Sequence, residues 1–350
     1  MTDRSTPRLL AAVLLAVGLL AMVSLPVPYV IERPGPIFNV LGSAGGSPLI
    51  TISGTRVYPT TGILDLTTVS EQGGPGNRVL LTEVVGATLR ATDAVVPRFL
   101  LYPDNTSAAQ VNNDNNAAMI QSQDAAAIAA LRHLGFPVTL TVVVGSITAG
   151  SPADGHLLTG DQIVSVDQAP ITTADQVRTA ITKHKPGETV VFVVERNGKQ
   201  LTVPLTTQAS TGSGPTRAVV GFTPGVGYTS PVKVTIALND VGGPSAGLMF
   251  TLGIIDKLTP VQETGGLHIA GTGTMDENGN VGPIGGIRQK MAAARAAGAT
   301  IFLVPASNCA EALGQVPDGL RLIKVTTVDT ALAGLQAAVS GQGTAAACTT

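Results

Sequence analysis

Apolar residues follow different spacings along this chain, and each spacing predicts a different element. An uncharged run at 9–31 has the length of a helix that spans a membrane. Apolar positions at helical spacing predict a helix over 117–134, after a polar loop at 112–116. Shorter alternating runs predict strands at 49–52, 62–69, 78–85, 139–144, 162–166, 189–195 and 200–206. Beyond 233 predicted strands and helices alternate, which indicates an α/β or α+β domain.

The apolar run at the N-terminus also predicts where the protein acts. Arg4 and Arg8 precede the run, so the positive-inside rule leaves the N-terminus in the cytoplasm and exports the rest. We therefore expect a single-pass protein of the cell membrane with the rest of the chain outside the cytoplasm. A cleaved signal peptide is the alternative interpretation, and it leads to the same compartment.

Charge and cysteine content narrow the choice of partners. The formal net charge is -2, no basic run occurs and aromatic residues make up 3 %, so nucleic acid is not an expected partner. The two cysteines, Cys309 and Cys348, form a disulfide if the chain is exported. Two free thiols are the alternative.

Gly- and Pro-rich stretches divide the chain into segments, and 33–36 is predicted to be a turn. The predicted segments are 1–31 (cytoplasmic N-terminus and membrane anchor), 32–137 (N-terminal β segment), 138–208 (a small, partly open β-barrel), 209–340 (a catalytic domain) and 341–350 (a flexible tail).

Two motifs within 138–208 resemble those of PDZ domains from bacterial proteases. They are Gly150-Ser151-Pro152-Ala153 and Gly160-Asp161-Gln162-Ile163-Val164-Ser165-Val166. The resemblance implies that an extended peptide adds to an open strand edge of this unit. Val143, Val144 and Gly145 are the expected binding residues, although the usual Gly-Leu-Gly-Phe form of the carboxylate-binding loop is missing there.

The chemistry that the sequence predicts begins at Ser245. Gly242, Gly243 and Pro244 favour a tight turn before this serine, and an apolar helical run follows it. The N–H groups at the start of that helix, beginning with Ala246, could stabilise an oxyanion. An ordinary helix N-cap is the alternative role for a serine in this place.

A nucleophilic serine needs a base, and two candidates are available. Lys290 lies among Ile287, Met291 and a run of alanines, and desolvation there would lower its pKa towards the range of a general base. A triad of Ser245 with His268 and Asp240 is the alternative, for which the sequence offers no support beyond spacing. A solvated surface lysine is the ordinary role for Lys290.

Three separated blocks resemble the proteolytic domain of Lon proteases. They are Gly243-Pro244-Ser245-Ala246-Gly247, Thr272-Gly273, and Gly279 to Lys290. With the anchor and the PDZ-like unit, the whole chain resembles Lon-like, PDZ-containing endopeptidases of bacteria. The resemblance implies that Ser245 is the nucleophile, that Lys290 is the base and that Thr272 helps to hold the lysine. The chain departs from the family pattern at Thr274, a position where the family often has a glutamate.

The resemblance also implies a fold and a function. The expected fold is α+β: a Lon-type proteolytic domain that begins within 32–137, an inserted PDZ-like β-barrel, and one N-terminal transmembrane helix. The expected function is that of a serine endopeptidase acting on unfolded or tail-presented polypeptides. The chain contains no G-x-x-x-x-G-K-[ST] motif, so we expect no ATP requirement, and we expect no cofactor or metal. A homo-oligomeric ring is expected by analogy. The alternative function is a non-catalytic peptide-binding scaffold.

Overall fold

The computed structural model describes residues 10, 12–16, 18, 23–103, 106–210, 215–238, 241–342 and 345–349 of the chain. The helices are α1 (Leu81–Thr88), α2 (Arg98–Leu101), α3 (Ala108–His133), α4 (Ala174–Thr182), α5 (Gly247–Leu258), α6 (Ile287–Ala296), α7 (Cys309–Leu313) and α8 (Val328–Ser340). The strands are β1 (Pro26–Val27), β2 (Tyr29–Asn39), β3 (Ser43–Ala44), β4 (Ser47–Pro48), β5 (Ile50–Ser53), β6 (Ile63–Gln72), β7 (Val79–Leu80), β8 (Ala94–Pro97), β9 (Thr139–Ile147), β10 (Gln162–Val166), β11 (Ala169–Pro170), β12 (Thr189–Arg196), β13 (Lys199–Thr206), β14 (Gln208–Ala209), β15 (Ala218–Val219), β16 (Phe222–Thr229), β17 (Lys233–Ile236), β18 (His268–Gly271), β19 (Thr274–Met275), β20 (Val281–Gly282), β21 (Ile301–Pro305) and β22 (Arg321–Val325).

One mixed sheet carries the candidate site, and its strand order is β22-β21-β18-β6-β2-β8. Neighbours from β22 to β6 run parallel, whereas β2 is antiparallel to both β6 and β8. Helix α5 is apolar on every face, so the chain buries it beside α3, and every residue of α5 except Lys257 is buried. The sheet contains strands from both sides of 138–208, as expected for a domain that an insertion interrupts.

The second sheet has the order β13-β12-β10-β9-β16, with β11 paired to β10. It closes around a hydrophobic core of its own, which includes Val144, Ile163 and Phe192. β16 pairs with β9 along most of its length and completes this sheet. Residues 222–229 thus extend this sheet beyond 208, the predicted end of the PDZ-like unit.

Two local predictions within 78–116 are wrong. Residues 78–85 form the short strand β7 and then α1, because Glu83 accepts a hydrogen bond from the N–H of Leu80 and closes a helix start. Residues 112–116 are not a loop, because α3 begins at Ala108 after the N-cap Ser107 and runs through the asparagines. That polar run is a largely exposed part of the helix.

The predicted membrane anchor needs correction, and with it the transmembrane part of the fold class and the single-pass location in the cell membrane. Within the part of the chain that the structure describes, no helix is long and apolar enough to cross a membrane. The predicted span also ends in strands: β1 begins at Pro26, and β2 joins the mixed sheet from Tyr29. Of the remaining residues of the span, 9, 11, 17 and 19–22 lie outside the described residues.

The structure joins Cys309 and Cys348 by a disulfide, with their Cα atoms 5.2 Å apart. Cys309 opens α7 and is buried in a small cluster that also contains Phe302. The bond therefore ties residue 348 to α7, which packs against β21 of the mixed sheet, and the predicted pairing agrees with the structure.

Candidate active site

Ser245 lies on a tight turn directly before α5. Gly243 has a φ of 88°, and the N–H of Gly243 donates to the carbonyl of Asn115 at 2.9 Å. The N-cap of α5 is Ala246, so the N–H groups of its first turn begin beside the serine. Ser245 is half-buried, and its hydroxyl makes no hydrogen bond with any residue that the structure describes. The hydroxyl is therefore free to meet a substrate.

Lys290 lies one turn into α6, on the face that the helix turns to the core. Ile287, Met291 and Ala294 share that face, and Lys290 itself is 3 % exposed. The helix starts at Gly286, whose φ of 65° is left-handed and whose Cβ, if present, would lie 2.5 Å from a methyl of Val69. Glycine is thus needed where the chain turns to bury the lysine.

Burial lowers the pKa of Lys290 to about 8, because the ammonium loses hydration, while the charge of Glu32 opposes part of this shift. Among the described residues no carboxylate forms a salt bridge with Lys290. A substantial neutral fraction of the amine is therefore present near pH 8, as a general base requires.

Thr272 connects the lysine to the serine. Lys290 Nζ donates to Thr272 Oγ1 at 3.1 Å, and the threonine hydroxyl donates to the carbonyl oxygen of Ser245 at 3.0 Å. The N–H of Gly273 donates to the same carbonyl at 3.0 Å. Thr272 is fully buried at the carboxyl end of β18, so the link is shielded from water. The amine is held beside the serine's turn, and it points at Thr272 in this structure.

Ser245 and Lys290 line one cleft of about 660 Å³. Its walls are formed by β2, by the second half of β6, by the first turns of α3 and by the turn that carries Ser245. The lining includes Glu32, Thr67, Glu71, Tyr102, Asn115, Met119, Ser245, Ala246 and Lys290. The cleft is open to solvent and can accept an extended chain.

No sequence motif predicts the acidic wall of this cleft. Glu32 and Glu71 are paired neighbours across β2 and β6, and the Tyr102 hydroxyl donates to Glu71. Burial, followed by the charge of Glu71, raises the pKa of Glu32. These residues lie more than 140 positions before the serine, and no motif marks them, so only the folded structure reveals them.

The peptide site at Val143, Val144 and Gly145 stays a prediction, and the structure places these residues in the middle of a sheet. All three lie in β9, which pairs with β16 on one side and with β10 on the other. The N–H of Val144 donates to the carbonyl of Asp161 at 2.8 Å. The carbonyl of Val144 accepts the N–H of Gly160 at 2.8 Å, so both backbone groups of Val144 are used within the sheet.

The structure does not bring His268 to Ser245. His268 is the first residue of β18, and Thr272 directly follows the last, so the two residues lie about 13 Å apart at the rise per residue of a strand. The Nε2 atom of His268 forms a hydrogen bond with Asp65 Oδ2 at 2.6 Å. His268 does not line the cleft. Asp240, the other member of the alternative triad, lies outside the described residues.

Comparisons with known proteins fit this geometry. Residues 110–207 match the family model of the PDZ domain, and residues 237–339 match that of the Lon protease (S16) C-terminal proteolytic domain. Lon protease 2 of Bacillus subtilis is 37 % identical over 89 residues, which are 25 % of this chain and 15 % of that protein. Lon protease of Azospirillum brasilense is 37 % identical over 94 residues, which are 26 % of this chain and 11 % of that protein.

The chain thus spans 15 % or less of the length of these two curated relatives. Among solved structures, the PDZ domain of the SdrC-like protein from Listeria monocytogenes covers 24 % of this chain and 86 % of its own, at 24 % identity and a TM-score of 0.22. The PDZ match covers most of α3 and most strands of the second sheet. The match to the Lon proteolytic domain covers the segment with Ser245 and Lys290. The chain therefore contains a PDZ domain and a C-terminal proteolytic domain of the Lon protease type.

Proposed function

We propose that this protein is a serine endopeptidase in which Ser245 is the nucleophile and Lys290 is the general base. The observation that carries the proposal is the buried link from Lys290 through Thr272 to the backbone of Ser245, at the wall of one cleft. A neutral amine has two N–H bonds and one lone pair. Thr272 accepts one N–H, and the lone pair remains available for the proton of the serine hydroxyl.

The catalytic cycle follows from these positions. Lys290 Nζ takes the proton of Ser245 Oγ as the oxygen attacks the peptide carbonyl carbon. Backbone N–H groups at the start of α5, beginning with Ala246, stabilise the oxyanion that forms. The protonated lysine then gives its proton to the leaving amine, and an acyl ester remains on Ser245. A water molecule, deprotonated by Lys290, releases the acyl group and restores the hydroxyl.

The substrates that we propose are polypeptides in extended form. The cleft is open, and both a PDZ domain and a proteolytic domain bind polypeptide chains. The chain contains no G-x-x-x-x-G-K-[ST] motif, so we expect turnover without ATP. The disulfide between Cys309 and Cys348 is typical of proteins in oxidising compartments, which supports an action outside the cytoplasm. A ring-shaped oligomer stays a prediction, which light scattering tests.

The test uses unfolded casein and a fluorophosphonate probe that acylates activated serines. We expect wild type to cleave casein without ATP and to carry the probe on Ser245 by mass mapping. Ser245→Ala and Lys290→Met should lose both signals, whereas His268→Ala should keep them. Casein cleavage that survives in Ser245→Ala would remove the proposed nucleophile. Absence of cleavage and labelling in folded wild type would leave a peptide-binding scaffold.

A further inference from the structure

Helix α3 holds the turn that carries Ser245. The carbonyl of Asn115 accepts the N–H of Gly243 at 2.9 Å, and the hydroxyl of Ser122 donates to the carbonyl of Pro244 at 3.0 Å. These bonds fix the two residues that directly precede the nucleophile. Ser122 is 4 % exposed, so its bond to the turn is shielded from water.

The same helix is also bonded to the PDZ domain. Gln121 Oε1 accepts the N–H of Val226 in β16 at 3.0 Å, and Gln110 Oε1 accepts the N–H of Ala149 after β9 at 2.9 Å. A side chain at Gly225 would place its Cβ 2.5 Å from Gln121 Oε1, so glycine makes room for the glutamine. The strand and the helix are therefore closely fitted at Gln121.

The two sets of bonds meet at adjacent residues. Gln121 bonds the PDZ domain, and Ser122, the next residue, bonds the serine's turn. Both lie in the middle of a 26-residue helix, where a residue cannot shift without its neighbours because each carries a helical hydrogen bond. A displacement of α3 relative to β16 must therefore displace Ser122 relative to Pro244.

The N–H of Val226 lies on an exposed strand edge. β16 is the last strand in the order of its sheet, and among the described residues its outer edge has no strand partner. Because Val226 donates to Gln121 and not to β9, its N–H belongs to that outer edge. Gln121 thus caps one of the donors that an added strand would use.

We propose that α3 connects the PDZ domain to the catalytic turn, with Ser122 as a positioning residue for Ser245 and Gln121 as the contact that fixes α3 on β16. The inference rests on the proposed nucleophile, and it adds that the PDZ domain contributes to catalysis through this helix even when a substrate is too short to reach it.

The first test separates catalysis from binding. The substrate is a short, internally quenched peptide, and the variants are Gln121→Met, which removes the acceptor but keeps the length, and Ser122→Ala. We expect each to lower kcat about two- to tenfold, the range for one lost hydrogen bond, with KM changed less than twofold. Gln123→Met is the matched control, because the side chain of Gln123 makes no hydrogen bond with any residue that the structure describes, and its kcat should equal that of wild type.

A double-mutant cycle tests the bond itself. Val226→Pro removes the donor from the other side, at an outer-edge position where a sheet tolerates proline. We expect Val226→Pro and Gln121→Met to lower kcat by similar factors and the double variant to lower it no further. Independent, multiplying effects, or an unchanged kcat in folded Gln121→Met, would overturn the inference.

A second measurement needs no activity. Amide hydrogen exchange of 242–247 should be faster in Gln121→Met than in wild type and unchanged in Gln123→Met. If wild type lacks labelling at Ser245, the proposed function fails, and exchange still decides whether Gln121 orders the turn. If the probe labels Ser245 but Gln121→Met and Gln123→Met show the same hydrogen exchange and the same kcat, only the proposed role of α3 fails.

Discussion

Replacing Thr272 by valine tests the buried link between the lysine and the serine. The change removes one hydroxyl from a site without solvent access and keeps the branched shape. Two hydrogen bonds disappear: the one that Lys290 Nζ donates and the one that the Ser245 carbonyl accepts. The carbonyl keeps its bond from Gly273 at 3.0 Å, whereas Lys290 keeps no other described partner.

The structure sets the expected size of this effect. Loss of the bond to Ser245 costs about 1 kcal/mol, and leaving the lysine amine unpaired in a buried site costs about 1–3 kcal/mol. If this energy holds Ser245 and Lys290 in their reactive positions, kcat falls roughly 30-fold or more. The pKa of Lys290 also falls further, because its ammonium form loses an acceptor, so the acid limb of kcat/KM moves to lower pH.

The assay is the pH dependence of peptide cleavage, with Thr272→Ser as the control. Serine keeps the hydroxyl and loses only a methyl group, so Thr272→Ser should retain most of the wild-type kcat and the wild-type acid limb near pH 8. A Thr272→Val enzyme with the wild-type kcat and pH profile would refute the assignment of this link to catalysis.

Three more predictions concern other groups. Burial raises the pKa of Asp124 to about 7, above its value of 3.8 in the unfolded chain, so the contribution of Asp124 to stability is full below pH 3.8 and lost as the pH rises through about 7. In urea titrations, Asp124→Asn should therefore raise the free energy of unfolding by up to about 4 kcal/mol at pH 8 and by less at pH 5. Glu32→Gln should lower the pKa of Lys290, because a stabilising negative charge is lost, and shift the acid limb of kcat/KM to lower pH; an unshifted limb would contradict the coupling. Replacing Cys309 and Cys348 by alanine opens a link across 39 residues and should cost about 2–4 kcal/mol in the same titrations, whereas a reducing agent should destabilise wild type and leave that variant unchanged.

Strands and helices with a clear local pattern could be predicted from the sequence. The strand at 162–166 was predicted with its observed bounds, and the turn Asn197-Gly198 joins β12 and β13 as its sequence favours. In these places alternation and turn chemistry agree, so short-range information is sufficient.

Elements that depend on distant partners could not be predicted in the same way. The stretch 33–36 contains two prolines and was predicted as a turn, but it lies inside β2. The register between β2 and β6 shifts between Pro34 and Ile37, and such a bulge accommodates residues that cannot donate to the ladder. The same long-range pairing places Glu32 opposite Glu71, which explains why the acidic wall of the cleft was also missed.

The candidate site also combines residues that a local motif predicts with contacts that depend on distant parts of the chain. Ser245 and Lys290 stand in short motifs that resemble those of a known family, so the sequence could nominate them. The bonds that hold the turn of Ser245 come from Asn115 and Ser122 of α3, each more than 120 positions before the turn residue that it contacts. Their sequence context is a polar, alanine-rich helix with no motif, and its chemistry becomes visible only after packing.

The way in which the PDZ domain is inserted shows why α3 matters to the site. Thr139, the first residue of β9, is paired with Thr229, the last residue of β16, so the insertion leaves and re-enters the proteolytic part at one point. The mixed sheet and the cleft are therefore complete without a strand from the PDZ domain. Helix α3 precedes β9 and reaches the turn of Ser245, so it is an element through which such an insertion can act on the cleft.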